Sequence, residues 1–410
     1  MRRIAWGLLL LLAFAIPWEY SLDLGEPFGN IARIFGVALI LVAIPAVLQA
    51  ARIRIPGPMQ WLVLGFYLWF CCSYFWTIEP LATAEKIRSY FQEMMIVWLV
   101  WEFVESPEDL RSLMRAYLAG SCVLAALTLA NFRSMEAVAA DQIRFVATGQ
   151  DANDVARFLD MGLPLAALLL HHERHWSWRL LALGYLPLGL TAVVLTASRG
   201  GFMAAMIALS GCGLLLIRTN RRTILAGALA LSAIAAVLWT IVPRETFERL
   251  ATIPSQFQGG DLNERLNIWI AGWHAFVRSP LIGTGAGTFV SAARMNPVDT
   301  AHNTIVSILV GGGLCALSLA FAIVVLAVRS ALATRGPLLI ALVTVLVLWS
   351  VASLVDTVEE NRSTWLLLGV MAVAGRLAVD EPVQLEECFP AEGSHPPVIL
   401  DTTLSPSPVN

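Results

Sequence analysis

Charge is what this sequence has least of. Asp, Glu, Lys and Arg make up 14% of the 410 residues, where a soluble globular domain carries about 25%. That scarcity excludes an ordinary soluble domain. The net charge of −3 leaves no basic footprint of the kind nucleic acid selects. Cysteine is sparse too. Cys71, Cys72, Cys122, Cys212 and Cys315 fall in apolar runs and Cys388 falls near the end. No metal spacing and no disulfide framework can be read from them, and they count as small hydrophobes. No repeat of fixed period appears, which removes the usual sign of an inverted-repeat transporter.

What the chain has is apolar residues, 58% of the total, gathered in runs close to the roughly 20 residues that cross a bilayer as a helix. The expected fold is all-α: a polytopic integral membrane protein of about twelve spans. They are expected near 4–19, 31–50, 58–76, 90–105, 110–131, 154–172, 177–197, 199–217, 222–242, 302–328, 336–355 and 363–379. The first run ends in Trp18-Glu19-Tyr20 without a small-residue cleavage site, so it reads as a retained helix rather than a signal peptide. Residues 1–379 form the membrane domain. The segment 380–410, rich in Pro, Ser and Glu, reads as a disordered cytoplasmic tail. The middles of the spans read as almost free of charge.

Arginine in short loops sets the orientation. Arg2 and Arg3, Arg52 and Arg54, Arg111 and Arg115, Arg174 and Arg179, Arg218, Arg221 and Arg222, then Arg329 and Arg335 fall in alternate connections. That side is expected to be cytoplasmic, with both termini. The external connections are then 20–30, 77–89, 132–153, the turn at 198, the long loop 243–301, and 356–362. Within the long loop, Leu262, Leu266, Trp269, Trp273 and Phe276 recur at helical spacing. They predict an amphipathic helix lying at the membrane surface, ended by Pro280 and the glycines after it. "GTGAGTF", Gly283 to Phe289, has the composition of a phosphate loop without its context and reads as a flexible turn.

Four polar features collect on the external side. "TASRGG" places Arg199 at the tip of a helical hairpin, after Ser198 and before Gly200 and Gly201. An arginine at a bilayer boundary serves as an interfacial anchor. Here the glycines allow close approach to the backbone, and the next helix offers amides that favour anions. "NERLNIW" places Arg265 beside the apolar stripe, either as a solvated partner of Glu264 or Glu248 or as a ligand contact. His302 and Asn303 open the tenth span. The histidine reads either as a helix-end residue or as a base near neutral pH. His274 is the other external histidine; His171, His172 and His175 fall in a cytoplasmic loop and His395 in the tail. "DQIRFVATGQDANDVARF" adds Arg144, Asp151 and Asn153. Arginine forks bind phosphate oxygens bidentately, so two or three of them beside a membrane predict an anionic lipid ligand such as a lipid diphosphate. No Asp-x-Asp cluster is present and no metal or cofactor is required.

At these residues the chain resembles the O-antigen ligase and polymerase superfamily. The likeness rests on "SRGG" opening a span, an arginine in a long external loop followed by "WHAFVRSPLIGTGAGTF", "AHN" opening the next span, and "GGGL" soon after. The early segment "EPFGNIARIFGVALIL", Ser73 with Phe75 and Trp76, and Asn153 are also similar, although this chain has Ala-Asn where the family often has Pro-Asn. The resemblance runs to about residue 379. It implies a metal-independent glycosyltransferase in a bacterial inner membrane, moving a glycan from a polyprenyl diphosphate carrier to an acceptor hydroxyl on the periplasmic face. Arg199 and Arg265, with Arg144, would hold the diphosphate. His302 would activate the acceptor, and Asn303, Ser198, Gly200 and Asn153 would support. A ligase, with a lipid A-core or other glycan acceptor, and a polymerase, with a carrier-linked repeat, remain open. A lipid-glycan transporter or flippase is the alternative of a different class, and would place charges inside several spans.

Overall fold

A computed structural model describes residues 1–25, 28–51, 53–134, 144–217, 221–257, 265–295 and 300–390. Arg52, Arg218, Leu262, Glu264 and His395 lie outside these. Among the described residues the fold is all helical, with one isolated bridge between Asp23 and Asn30. The helices are α1 Arg2–Ala15, α2 Ile31–Ala50, α3 Pro58–Cys72, α4 Pro80–Phe103, α5 Pro107–Arg133, α6 Ala152–His172, α7 Trp176–Leu195, α8 Arg199–Ile217 and α9 Arg221–Ile241. After them come the short α10 Arg244–Ala251 and α11 Ile253–Phe257, then α12 Arg265–Arg278, α13 Phe289–Ala293, α14 Thr304–Ala333, α15 Gly336–Ser353, α16 Arg362–Asp380 and α17 Pro382–Cys388.

Local chemistry explains the boundaries. Proline opens α3, α4, α5 and α17 at the first position, where its missing N–H costs nothing and its φ suits a helix. Side chains of Asn30, Ser106, Asp151 and Asn303 accept from the first-turn amides of α2, α5, α6 and α14, satisfying donors that have no partner within the helix.

Among the described residues, eight helices are long and apolar enough to cross a membrane, or nine if the bent pair Gly227–Ile241 and Arg244–Ser255 counts as one. Twelve is the number the sequence pattern suggests. The expected spans at 58–76, 90–105 and 154–172 correspond to α3, which is short, and to α4 and α6, which carry charge. Helix α4 starts ten residues earlier than expected, at Pro80.

Two ends of the bundle are distinguishable by what bonds there. At one, Arg2 pairs with Glu102 at 3.0 Å and Glu105 at 2.6 Å, Arg115 with Glu173 at 2.6 Å, and Arg335 with Glu386 at 3.6 Å. These are the arginine-bearing connections. The candidate site residues gather at the other end. Of the segment 380–410, expected to be disordered, residues 391–410 lie outside the described residues, and the part before them holds helix α17. Helix α17 docks on α5: Leu385 and Phe389 are buried, and the Arg111 guanidinium lies 5.2 Å from the Phe389 ring centroid.

The glycine-rich segment 283–288 is not a flexible turn. Helix α14 is broken at Gly313, whose φ of 66° and ψ of −165° are open only to glycine. The segment 280–286 fills the break. Thr284 N donates to Val310 O at 2.8 Å and Gly285 N to Gly311 O at 2.9 Å; Leu314 N donates to Pro280 O at 2.9 Å. Trp69 Nε1 adds a bond to Gly312 O at 2.8 Å. Irregular backbone in an apolar setting persists only where its polar groups are answered in this way.

Candidate functional site

The site grows from α6, which is buried along almost its whole length against α5, α7, α8 and α15. Asp151 caps it, its Oδ1 accepting from Asn153 N at 2.7 Å. The freed Asn153 side chain turns to the hairpin between α7 and α8, where Ser198 Oγ donates to Asn153 Oδ1 at 2.7 Å. Ser198 Oγ also accepts from Gly201 N at 3.1 Å, closing the first turn of α8. Arg199 is thereby displayed from a turn held on two sides. Gly201 serves packing rather than ligand approach: a Cβ there would lie 2.2 Å from Ala156 Cβ on α6. Gly200 faces more open space, since a Cβ added to it would come no closer than 3.7 Å to Val355 Cγ2.

Two more arginines brace the same turn. Arg144 Nε donates to Thr196 O at 3.1 Å and Arg249 Nε to Ala197 O at 3.0 Å. These carbonyls end α7, where cationic donors are favoured. Arg144 Nη2 reaches Asn153 Oδ1 at 3.5 Å. Burial holds the Arg144 guanidinium below its ordinary pKa; Asp151 opposes this, and Arg249, Arg265 and Arg199 push it down further. Burial also lowers Arg265, against Asp356 and Asp151, which raise it. The guanidinium groups of Arg249, Arg265 and Arg199 therefore all act on Arg144, whereas burial alone lowers Arg265. Such a field attracts an anion. Glu264 lies outside the described residues, and the carboxylates that act on Arg265 are Asp356 and Asp151.

Arg265 opens α12. This helix buries Ile268, Gly272, Ala275 and Phe276, while Leu266, Ile270, Trp273 and Val277 are exposed. The expected stripe is thus split: Phe276 faces the protein and Leu266 and Trp273 face outward. His274 is exposed.

His302 precedes α14 with a left-handed backbone, φ 45°. Next to it, Asn303 caps α14, its Oδ1 accepting from Val306 N at 3.0 Å, and its Nδ2 donates to Leu354 O at 3.0 Å. Thr304 Oγ1 donates to Asp356 O at 3.0 Å and accepts from Val358 N at 2.9 Å. The turn 354–358 joins the two halves. Its Val355 lies against Gly200, and its Asp356 lines one cavity together with Asn153, Ser198, Gly200 and Arg265. All eight residues singled out from sequence, Arg144, Asn153, Ser198, Arg199, Gly200, Arg265, His302 and Asn303, occupy this end of the bundle.

Sequence reasoning missed Arg249, and it missed a buried ionic group. Arg157, 4% exposed, donates to Asp356 Oδ2 at 3.0 Å and to Asp154 Oδ1. Asp160, 1% exposed, lines the floor of the same cavity. Glu19 is bonded to Arg362, and Glu93 is buried on α4. The reading of nearly charge-free spans is therefore wrong for α4 and α6. Asp154, Arg157 and Asp160 at spacing i, i+3 and i+6 were the available signal, since an ionisable residue within a membrane helix is expensive unless it is paired or functional. Arg157 pairs with Asp154 on the same helix and with Asp356 of the 354–358 turn, whereas both Asp160 carboxyl oxygens and Glu93 Oε2 are buried without a hydrogen-bond partner. Among the described residues no three His, Cys, Asp or Glu side chains come together as a metal site.

No curated protein matches the chain. A family model described as O-Antigen ligase matches residues 184–321, from α7 to the middle of α14. That stretch contains Arg199, Arg249, Arg265, His302 and the inserted 280–286 segment. Over that stretch, about a third of its length, the chain is similar to the O-antigen ligase family.

Proposed function

We propose that the protein is a ligase-type glycosyltransferase of a bacterial inner membrane, with both termini cytoplasmic and the site on the periplasmic face. Its donor is a glycan on a polyprenyl diphosphate and its acceptor a hydroxyl of lipid A-core or another glycan. One observation carries this: Arg144, Arg199, Arg249 and Arg265 gather at the membrane-domain end where Asn303 and Thr304, the two residues after His302, are tied to the 354–358 turn. In the transfer, the acceptor O–H gives its proton to His302 as its oxygen bonds the anomeric carbon. The bond from that carbon to the diphosphate oxygen breaks, and its electron pair leaves with the diphosphate. Charge grows on that oxygen, where Arg199 and Arg265, with Arg144 and Arg249 behind them, lower the barrier. Binding energy from fixed cations is most useful where charge develops in the transition state.

The polymerase reading uses the same chemistry with a carrier-linked acceptor. The test is release of polyprenyl diphosphate by the purified protein from a polyprenyl-diphosphate-linked oligosaccharide, with each acceptor in turn and without added metal. Acceptor-dependent release supports transfer, and the acceptor that works separates ligase from polymerase. Donor binding without release, whatever the acceptor, contradicts the reading and favours transport.

A further inference from the structure

We infer that Arg157 is a positioning residue that sets His302 relative to the arginine cluster by clamping the 354–358 turn to α6. The inference rests on the reading that His302 and the arginines serve one transfer.

The geometry has two arms on one helix face. Asn153 and Arg157 are four residues apart on α6 and so lie one above the other. Asn153 holds the hairpin that displays Arg199, through Ser198 Oγ at 2.7 Å. Arg157 holds the turn that grips the start of α14, through Asp356 Oδ2 at 3.0 Å. From that turn, three contacts reach the two residues after His302: Leu354 O with Asn303 Nδ2, Asp356 O with Thr304 Oγ1, and Val358 N with Thr304 Oγ1. The spacing between the two halves of the site is therefore carried by about one helical turn, roughly 5.4 Å of α6.

The charged composition of the clamp supports this over a purely stabilising role. Arg157 forms one fork between two carboxylates, Asp154 and Asp356, and its guanidinium lies 5.0 Å from the Phe158 ring centroid. A buried ionic triad is poor evidence for stability, because well-packed apolar residues often do as well or better. What it supplies is direction. A planar fork fixes both acceptors at once, and a lysine cannot.

The test compares the full-length protein with Arg157→Gln, Arg157→Lys, Asp356→Asn, the double Arg157→Gln/Asp356→Asn, and Thr304→Val. Each is assayed with the polyprenyl-diphosphate-linked oligosaccharide and an acceptor the wild type uses. Arg157→Gln should lower kcat on the order of 100-fold, as small misplacements of reacting groups do. Donor KM should stay within about threefold, since no donor contact is removed. The double variant should be no worse than the poorer single, because both cut one linkage. Hydrogen exchange should quicken at the amides of 304–307 and 355–358 and not at 198–202. Unchanged kcat, a raised donor KM with kcat kept, additive losses, or faster exchange throughout would each overturn the inference. Should Arg157→Gln not fold, Arg157→Lys and Thr304→Val carry the same test. Thr304→Val removes only the far end of the linkage, and a folded Thr304→Val with wild-type kcat overturns the inference. Wild-type protein inactive with every acceptor would sink the functional reading instead, and the exchange pattern would still decide the clamp.

Discussion

Ser198 donates to Asn153 across 45 residues of sequence at 2.7 Å, and the arginine after Ser198 is the one the hairpin displays. The bond joins the first turn of α6 to the hairpin that carries Arg199. Asn153→Ala leaves Ser198 without that acceptor and Arg144 without its more distant one. Transfer should fall about 10- to 100-fold, the range for losing the support of a positioned group. Ser198→Ala should cost less, and the pair should not add. Steady-state rates of the two singles and the double check this.

The four arginines are held together at a cost. A cation whose folded pKa is depressed is destabilising at every pH below that value, so at neutral pH the charged Arg144 opposes folding. Its replacement should help. Arg144→Gln should raise the apo melting temperature, by about 1 °C for each kcal/mol relieved in a chain of this size. Inorganic diphosphate should raise the wild-type melting temperature by binding the native state only, and less in Arg144→Gln. Thermal shift with and without diphosphate reads both. A wild type indifferent to diphosphate contradicts the anion site.

Arg249, invisible as a candidate in sequence, braces Ala197 and adds to the same field. Arg249→Ala should raise donor KM several-fold and flatten its salt dependence, because one screened charge is gone. Kinetics at two ionic strengths decide it.

Gly313 occupies a conformation that strains any side chain, and a Cβ would meet Leu281 O at 2.3 Å. Gly313→Ala should expel the 280–286 segment from the break in α14. A residue forced into such backbone costs about 1–3 kcal/mol before the clash is counted, so detergent-solubilised protein should melt several degrees lower.

Glu359 lies buried in the 354–361 connection, and its carboxyl is pushed up to about 8, by burial first and Glu360 second. Glu360 in turn pairs with Lys86 at 2.5 Å. A carboxyl with a raised folded pKa keeps its proton in the native state while the unfolded chain loses it. Stability from this group is therefore full below the ordinary value near 4.5 and is lost as pH rises towards 8. Glu359→Gln, which mimics the protonated form, should flatten the fall in melting temperature across that window. Melting curves from pH 5 to 8.5 for both proteins check it.

The sequence made the membrane class and the site's outline legible because both rest on local signals. Apolar runs announce helices, and Asn303 or Asp151 before such a run announces a cap. Arg199, Arg265 and His302 stood out because charge is rare beside a membrane. The rest depended on distant partners. Arg157 looks like half of a solvated i, i+3 pair with Asp154 until Asp356, 199 residues on, is brought to its other side. Arg249 sits in a short amphipathic helix like many others, and only the fold lays it against Ala197. The glycines at 283–287 suggested freedom of motion. Their partners, the backbone groups exposed at Gly311 to Cys315, exist only because α14 breaks there, and a mean apolar pattern does not reveal a break. Gly201 likewise suggested room for a ligand where Ala156 fills it.

The most direct test of the account is a single-turnover comparison of wild type and His302→Ala with donor already bound and the working acceptor then added. The account predicts equal occupancy by the polyprenyl-diphosphate-linked oligosaccharide and, for the variant, loss of transfer by at least about 100-fold, the scale of a removed general base. Transfer at the wild-type rate by His302→Ala, with donor bound to the same extent, would contradict it.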